Sequence, residues 1–217
     1  MINQADSVRL FTFEQEIWKR GYHHIAGIDE AGRGALAGPV VAAAVKFGRE
    51  VFLPGLNDSK QVSPFLRERL FTLILEEADD YGIGIVDEEV IDHQNIWIAT
   101  KLAISLALKE CSTPLEYLLI DGVKVPEFVL PQLPLPKGDQ LSASIAAASI
   151  LAKVTRDRIM VEFDKEFPHY LFAKHKGYGT KEHRDRIQRF GPCRIHRKTF
   201  RGVREYAGEQ ARDREKR

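Results

Sequence analysis

The sequence predicts an α/β domain followed by a small, basic and mostly helical C-terminal extension. Three observations support this. Short apolar runs of strand character alternate with longer stretches of helical periodicity. Two of those runs, residues 25–29 and 116–121, pass through apolar residues to a terminal carboxylate, Asp29 in one and Asp121 in the other. The charge also divides along the chain. Residues 1–150 hold 13 Lys and Arg against 21 Asp and Glu, a balance of −8, and residues 151–217 hold 19 against 10, a balance of +9. A basic third beside an acidic remainder suits a polyanion that one part binds and another part processes. The bland alternative is a solvated basic face.

Each element has a local reason. Residues 7–20 place Val8, Phe11, Ile17 and Trp18 among charges, as in an amphipathic helix packed on a domain. Residues 25–29 form a first strand and residues 40–47 a second, the latter apolar without alternation and so buried on both faces. Ser63 caps and Pro64 opens a helix that continues through Leu66, Leu70, Leu73 and Ile74. Residues 81–86 give a third strand, 95–109 a broadly apolar helix and 116–121 a fourth strand. Prolines 126, 131, 134 and 136 exclude a regular central element from residues 124–137. Within them Gln132-Leu-Pro-Leu-Pro136 resembles a clamp-binding peptide without its closing aromatic, and it reads as a loop. A long helix over residues 142–164 begins almost entirely in alanine and serine, so its axis can lie directly on the strands. Beyond it come aromatic and basic loops, a helix at 181–190 and a charged tail after Tyr206 that frays. The division is 1–164 for the domain and 165–217 for the extension.

At 217 residues and 44% hydrophobic, the chain can bury a full core. Two cysteines, Cys111 and Cys193, cannot build a disulfide framework. No secretory leader opens the chain, and no apolar run reaches the ~20 residues that cross a bilayer. The expectation is a cytoplasmic protein with no membrane contact.

The chain is organised around residues 26–39, Ala-Gly-Ile-Asp-Glu-Ala-Gly-Arg-Gly-Ala-Leu-Ala-Gly-Pro. Adjacent strand residues point to opposite faces, so Asp29 and Glu30 are not two solvated charges on one surface. Gly32 and Gly34 flank Arg33 in a turn whose backbone can approach a ligand closely. With Asp121 and Asp139, these acids make a set of hard oxygen donors suited to Mg2+ or Mn2+. Without a cation four clustered carboxylates repel one another; with two, they support in-line attack on a phosphodiester. Bland readings stand beside these. The turn could be a hairpin with solvated acids, Asp139 could serve a helix dipole for ~0.3–1 kcal/mol, Lys60 could be a surface lysine, and Tyr178 could belong to the core. No nucleophile elbow, phosphate-binding P-loop or Cys/His ligand spacing is present in the sequence.

The stretch at 26–39 resembles the signature of the type 2 ribonucleases H, with the bacterial ribonuclease HII branch the most similar. Further matches follow in the family's order. They are Leu56-Asn-Asp-Ser-Lys60, Leu119-Ile-Asp-Gly122, Lys137-Gly-Asp139, the run from Ser144 to Asp157, His175-Lys-Gly-Tyr-Gly-Thr180 and Gly191-Pro with Ile195-His-Arg197. The resemblance implies a ribonuclease H-like mixed sheet flanked by helices. It implies that Asp29, Glu30, Asp121 and Asp139 bind Mg2+ or Mn2+ and are catalytic, in a two-metal mechanism. It implies that Gly32, Arg33 and Gly34 read the ribose 2′-hydroxyl and that Tyr178 packs on the next sugar, while Lys60, in its polar loop, is a candidate for contact with substrate phosphate or an active-site carboxylate. The implied substrates are RNA–DNA hybrids and DNA containing single ribonucleotides, cut 5′ to the ribonucleotide by a monomer acting in replication and repair. Cys193-Arg194 departs from the family's usual small residue and proline. The competing readings are a non-catalytic hybrid-binding module and another carboxylate-metal nuclease of the same fold.

Overall fold

A computed structural model describes residues 10–56, 59, 62–122 and 124–207. The packing forms two compact units. Among the described residues, one holds those up to 31, 41–85 and 101–154, and the other those at 32–40, 86–100 and from 155 onward. The strands are β1 (Ile25–Ala31), β2 (Val40–Lys46), β3 (Asp80–Val86), β4 (Tyr117–Asp121) and β5 (Gln132–Leu135). In chain order the helices are α1 (Thr12–Lys19), α2 (Pro64–Glu77), α3 (Glu88–Gln94), α4 (Ile96–Glu110), α5 (Ala143–Glu166), α6 (Phe172–His175), α7 (Lys181–Phe190) and α8 (Arg204–Ala207).

The first unit is built on one mixed sheet in the order β3-β2-β1-β4-β5. β1 runs antiparallel to β2 and parallel to β4, and β4 runs parallel to β5. Every residue of β2 is buried, which explains its apolar sequence without alternation. α5 lies directly against the sheet. A Cβ on Gly27 of β1 would sit 2.2 Å from the Ser144 carbonyl carbon, and Ala146, Ala147, Ala148 and Ala152 are fully buried. Small side chains on both elements permit that approach. α1 joins the same core through Ile17, which packs with Ile25, Leu119, Leu135 and Ile145.

Besides the one-turn helices α6 and α8, the structure adds β5 and α3 to the sequence reading. Residues 124–137, read as a loop, contain β5 with Pro134 opposite Ile120. β5 is an edge strand, where a missing N–H can face away from the ladder. The Gln132 side chain pins the preceding proline loop by donating to the Val125 and Phe128 carbonyls and accepting the Val125 N–H. α3 was also not anticipated. Asp87 caps it by accepting the Val90 N–H at 2.9 Å, and Glu88 and Glu89 place negative charge in its first turn.

The second unit packs Ala37 against Met160, Tyr170, Phe172 and Ile195, and Leu36 against Ile187 and Val203. The 32–40 segment is stitched in by main-chain bonds. Leu36 N–H donates to Gly177 O, Gly38 N–H to Ile195 O, and Arg197 N–H to Leu36 O. Among the described residues no helix is long and apolar enough to cross a membrane.

Candidate active site

Strand register places the acids. Gly27 of β1 lies opposite Leu119 of parallel β4. Two residues on, just past the last β1–β4 pair, Asp29 within β1 and Asp121 at the end of β4 therefore lie on the same face, the face that α5 covers at Gly27. Asp29 is buried, and Glu30 beside it is half-buried. Burial, then the charges of Glu30 and Asp121, hold the Asp29 carboxyl well above the usual carboxylate range. Hydrogen bonds from the Ser149 hydroxyl and the Glu30 N–H, the latter at 2.7 Å, pull the other way. Ser149 was not singled out from the sequence. Its signal was a hydroxyl one α5 turn beyond Ile145, on a helix of small residues pressed to β1.

Asp139 sits, buried, in a 3-10 turn over Gly138–Gln140. Asp121 holds that turn by accepting the Gly138 N–H at 2.7 Å. Other groups cap the α5 N-terminus directly. Ser142 Oγ accepts the Ile145 N–H at 3.2 Å, and fully buried Glu14 accepts the Ser144 N–H at 2.9 Å and the Ser142 hydroxyl at 2.6 Å.

Among the described residues no three His, Cys, Asp or Glu side chains are arranged to enclose a metal ion by themselves. A Mg2+-type ion needs less. It takes one or two carboxylates and completes its shell with water and substrate phosphate oxygens. Adjacent Asp29 and Asp121 supply hard donors, and the like-charge crowding at buried Asp29 is what a cation relieves. The donor set fits a hard divalent cation.

The second unit carries the glycine turn. Gly32 is buried at φ +96°, and a Cβ there would lie 2.1 Å from Arg156 Nε and 2.8 Å from Pro39 O. Gly34 is exposed, and a Cβ there would meet nothing within 4 Å. Arg33 is exposed, with its guanidinium 5.6 Å from the Trp97 ring centre. Tyr178 bridges Ala35 main chain to main chain, and its half-buried ring lies 5.1 Å from the Arg156 guanidinium. Gly177, at φ +80°, makes room for Ala37 O, which a Cβ would approach to 2.6 Å. Lys60 lies outside the described residues.

The basic stretch separates into exposed and buried members. Lys181, Arg184, Arg189, Lys198 and Arg201 are exposed, whereas Arg156 and Arg197 are fully buried and cannot meet phosphate directly.

Comparison with known proteins gives the same picture. The family model described as Ribonuclease HII matches residues 26–203. The ribonuclease HII of Syntrophotalea carbinolica is 54% identical over 202 residues, covering 93% of this chain and 97% of its own. Among solved structures, ribonuclease H2 from Pyrococcus horikoshii aligns with TM-score 0.69 at 26% identity, over 85% of this chain and 97% of that one. The ribonuclease HII of Archaeoglobus fulgidus, solved in complex with PCNA, aligns with TM-score 0.66 at 25% identity, over 82% and 95%. With its mixed sheet and the family match over most of its length, the chain belongs to the ribonuclease HII family and is an endoribonuclease of the type 2 ribonuclease H class, a phosphodiester hydrolase.

Proposed function

We propose that the chain hydrolyses RNA within RNA–DNA hybrid duplexes and cuts on the 5′ side of single ribonucleotides embedded in duplex DNA, leaving 3′-hydroxyl and 5′-phosphate ends. The observation that supports this best is the register-aligned pair Asp29 and Asp121 on adjacent strands, with Asp29 buried. Asp29, Glu30, Asp121 and Asp139 would hold Mg2+ or Mn2+, which when bound supplies activation of water and neutralisation of charge at the phosphodiester. The chain's own part is presentation. Ser149 orients the Asp29 carboxyl, and Asp121 ties down the turn that carries Asp139.

Ribose recognition falls to the Gly32, Arg33 and Gly34 turn, which follows Glu30 after one intervening residue in the chain. Packing accounts for glycine at 32 but not at 34, where a side chain would meet open space. Close approach of a nucleotide accounts for it, and the 2′-hydroxyl is the group that separates RNA from DNA. Tyr178 seats the neighbouring sugar at the junction, Lys60 meets substrate phosphate, and the exposed basic residues of the C-terminal third hold the duplex backbone. The setting we infer is cytoplasmic removal of ribonucleotides during DNA replication and repair, by a monomer. The Archaeoglobus relative's complex with PCNA makes a replication clamp a candidate partner.

Three end-labelled duplexes test the reading: one with a single ribonucleotide, one a continuous hybrid, one all DNA. Cleavage of the first two that requires Mg2+ or Mn2+ and maps 5′ to ribose is the expected result. Equal cutting of all-DNA duplex would overturn the ribose argument. Tight hybrid binding without cleavage in either metal would favour a non-catalytic module.

A further inference from the structure

Two buried arginines grip the carbonyls of the glycine turn and the residues that follow it. Arg197 donates from Nη1 to Arg33 O at 2.9 Å, from Nε to Gly38 O at 3.0 Å, and from Nη2 to Gly38 O at 2.9 Å and Pro39 O at 3.1 Å. Arg156 donates to Pro39 O at 2.9 Å, Ala37 O at 3.0 Å and Lys176 O at 2.9 Å, while its guanidinium faces the Tyr178 ring. Neither side chain is exposed. Among the described residues every hydrogen bond of these two guanidinia ends on a main-chain oxygen. Taking a cation out of water costs several kcal/mol, and an apolar side chain would fill the same space without that cost.

Geometry supplies a reason for the arrangement. In a trans peptide the carbonyl of one residue and the N–H of the next point in opposite directions. The bond from Arg197 to Arg33 O therefore sets the Arg33–Gly34 peptide plane and turns the Gly34 N–H away from the buried guanidinium. Gly34 is exposed, so its N–H is held on the side of the turn that a ligand can reach. We propose that Arg197 is a specificity-determining positioning residue, which aims the Gly34 N–H at the ribose 2′-hydroxyl by holding the Arg33 carbonyl. The inference rests on the ribose-reading role proposed above for the turn. Lysine keeps the charge but is a point donor, and it cannot span Arg33, Gly38 and Pro39 at once.

The test is binding rather than cleavage. Affinities of wild type, Gly34→Ala and Arg197→Lys are measured, with chelator present, for a single-ribonucleotide duplex and the matching all-DNA duplex. A wild-type preference of roughly 5- to 150-fold, the value of one unsatisfied buried polar group, is expected to fall to near unity in Arg197→Lys while all-DNA affinity stays within about twofold. No preference in wild type would overturn the ribose-reading turn itself. Loss of preference in Gly34→Ala but not in folded Arg197→Lys would overturn this proposal alone. Proton exchange at Arg197 Nε–H in the wild-type protein provides a check that needs no variant. Exchange at least about tenfold slower than at exposed arginines is expected, and exchange as fast as theirs would overturn the grip.

Discussion

The Asp121 carboxylate accepts the Gly138 N–H at 2.7 Å, so the acid that ends β4 also secures the turn carrying Asp139. Charge and shape can be separated at this position. Asp121→Asn keeps an oxygen acceptor and loses the charge, so its melting temperature should stay near wild type. Its single-turnover cleavage in Mg2+ should fall at least about 100-fold, because metal-derived charge stabilisation is worth several kcal/mol. Asp121→Ala also strands the Gly138 N–H, and its denaturant midpoint should report a further loss of about 1–3 kcal/mol. Near-wild-type cleavage by Asp121→Asn would remove Asp121 from the catalytic set.

The two glycines of the turn should respond differently to a methyl group. At Gly32 the φ of +96° and the approach to Arg156 Nε and Pro39 O make alanine strained, at a cost of about 1–3 kcal/mol. Gly34→Ala meets open space and should leave the unfolding midpoint alone. Its cleavage of a single-ribonucleotide duplex should nonetheless drop roughly 5- to 150-fold if a nucleotide approaches there. Full activity in Gly34→Ala would leave that glycine without a role in recognition.

Those contrasting glycines mark how far sequence reasoning reaches. The strands carrying Asp29 and Asp121 were legible because an apolar run reaching an acid breaks the ordinary grammar of a buried strand, although β1 runs on past Asp29 to Ala31. Close packing of α5 was legible from its alanines and serines, and Gly27 against Ser144 shows the result. β5 was hidden because its prolines argue against a strand wherever the edge position is unknown. The cap at the start of α5 was hidden too, because Glu14, which serves the helix end, lies 130 residues from Ser144. The buried arginines left no periodic trace either. Pro39 lies 117 residues from Arg156, and Arg33 lies 164 from Arg197, so nothing local distinguishes these two from a phosphate-binding cluster.

Acid should unfold the chain partly through two histidines. His183 Nε2 and His196 Nε2 are 3.1 Å apart and buried. Burial first, then neighbouring His175, pushes His183 down to about 4. Burial and neighbouring His183 push His196 down to about 3. An unfolded histidine titrates near 6.5. The unfolded state therefore binds protons first as pH falls. The stabilising contribution is complete above about pH 6.5 and disappears as pH drops toward the folded values, at about 1.4 kcal/mol per pH unit for each histidine. Urea midpoints compared between pH 7.5 and 4.5 should fall less steeply in His183→Gln than in wild type. Identical slopes would mean that His183 takes up its proton as readily in the folded state as in the unfolded one.

The exposed basic residues make the last prediction, in which the buried arginines have no part. Each phosphate neutralised by a protein cation releases counterions, so log affinity falls with log salt by about 0.9 per contact on B-form duplex. Replacing Arg184, Lys198 and Arg201 together with alanine should lower that slope by up to about 2.7 if each meets one phosphate. The segment around Lys198 is itself held in place. Asp92 accepts the Lys198 N–H at 2.7 Å, the Thr199 N–H at 3.0 Å and the Thr199 hydroxyl at 2.6 Å. Removing a carboxylate near a polyanion should strengthen binding if charge alone decides. If Asp92 acts by positioning the basic segment, Asp92→Ala should weaken binding despite the more positive charge. Fluorescence anisotropy across about 50–200 mM salt measures both effects. An unchanged slope in the triple variant would reduce the C-terminal basic face to solvated charge, and tighter binding by Asp92→Ala would remove the positioning role.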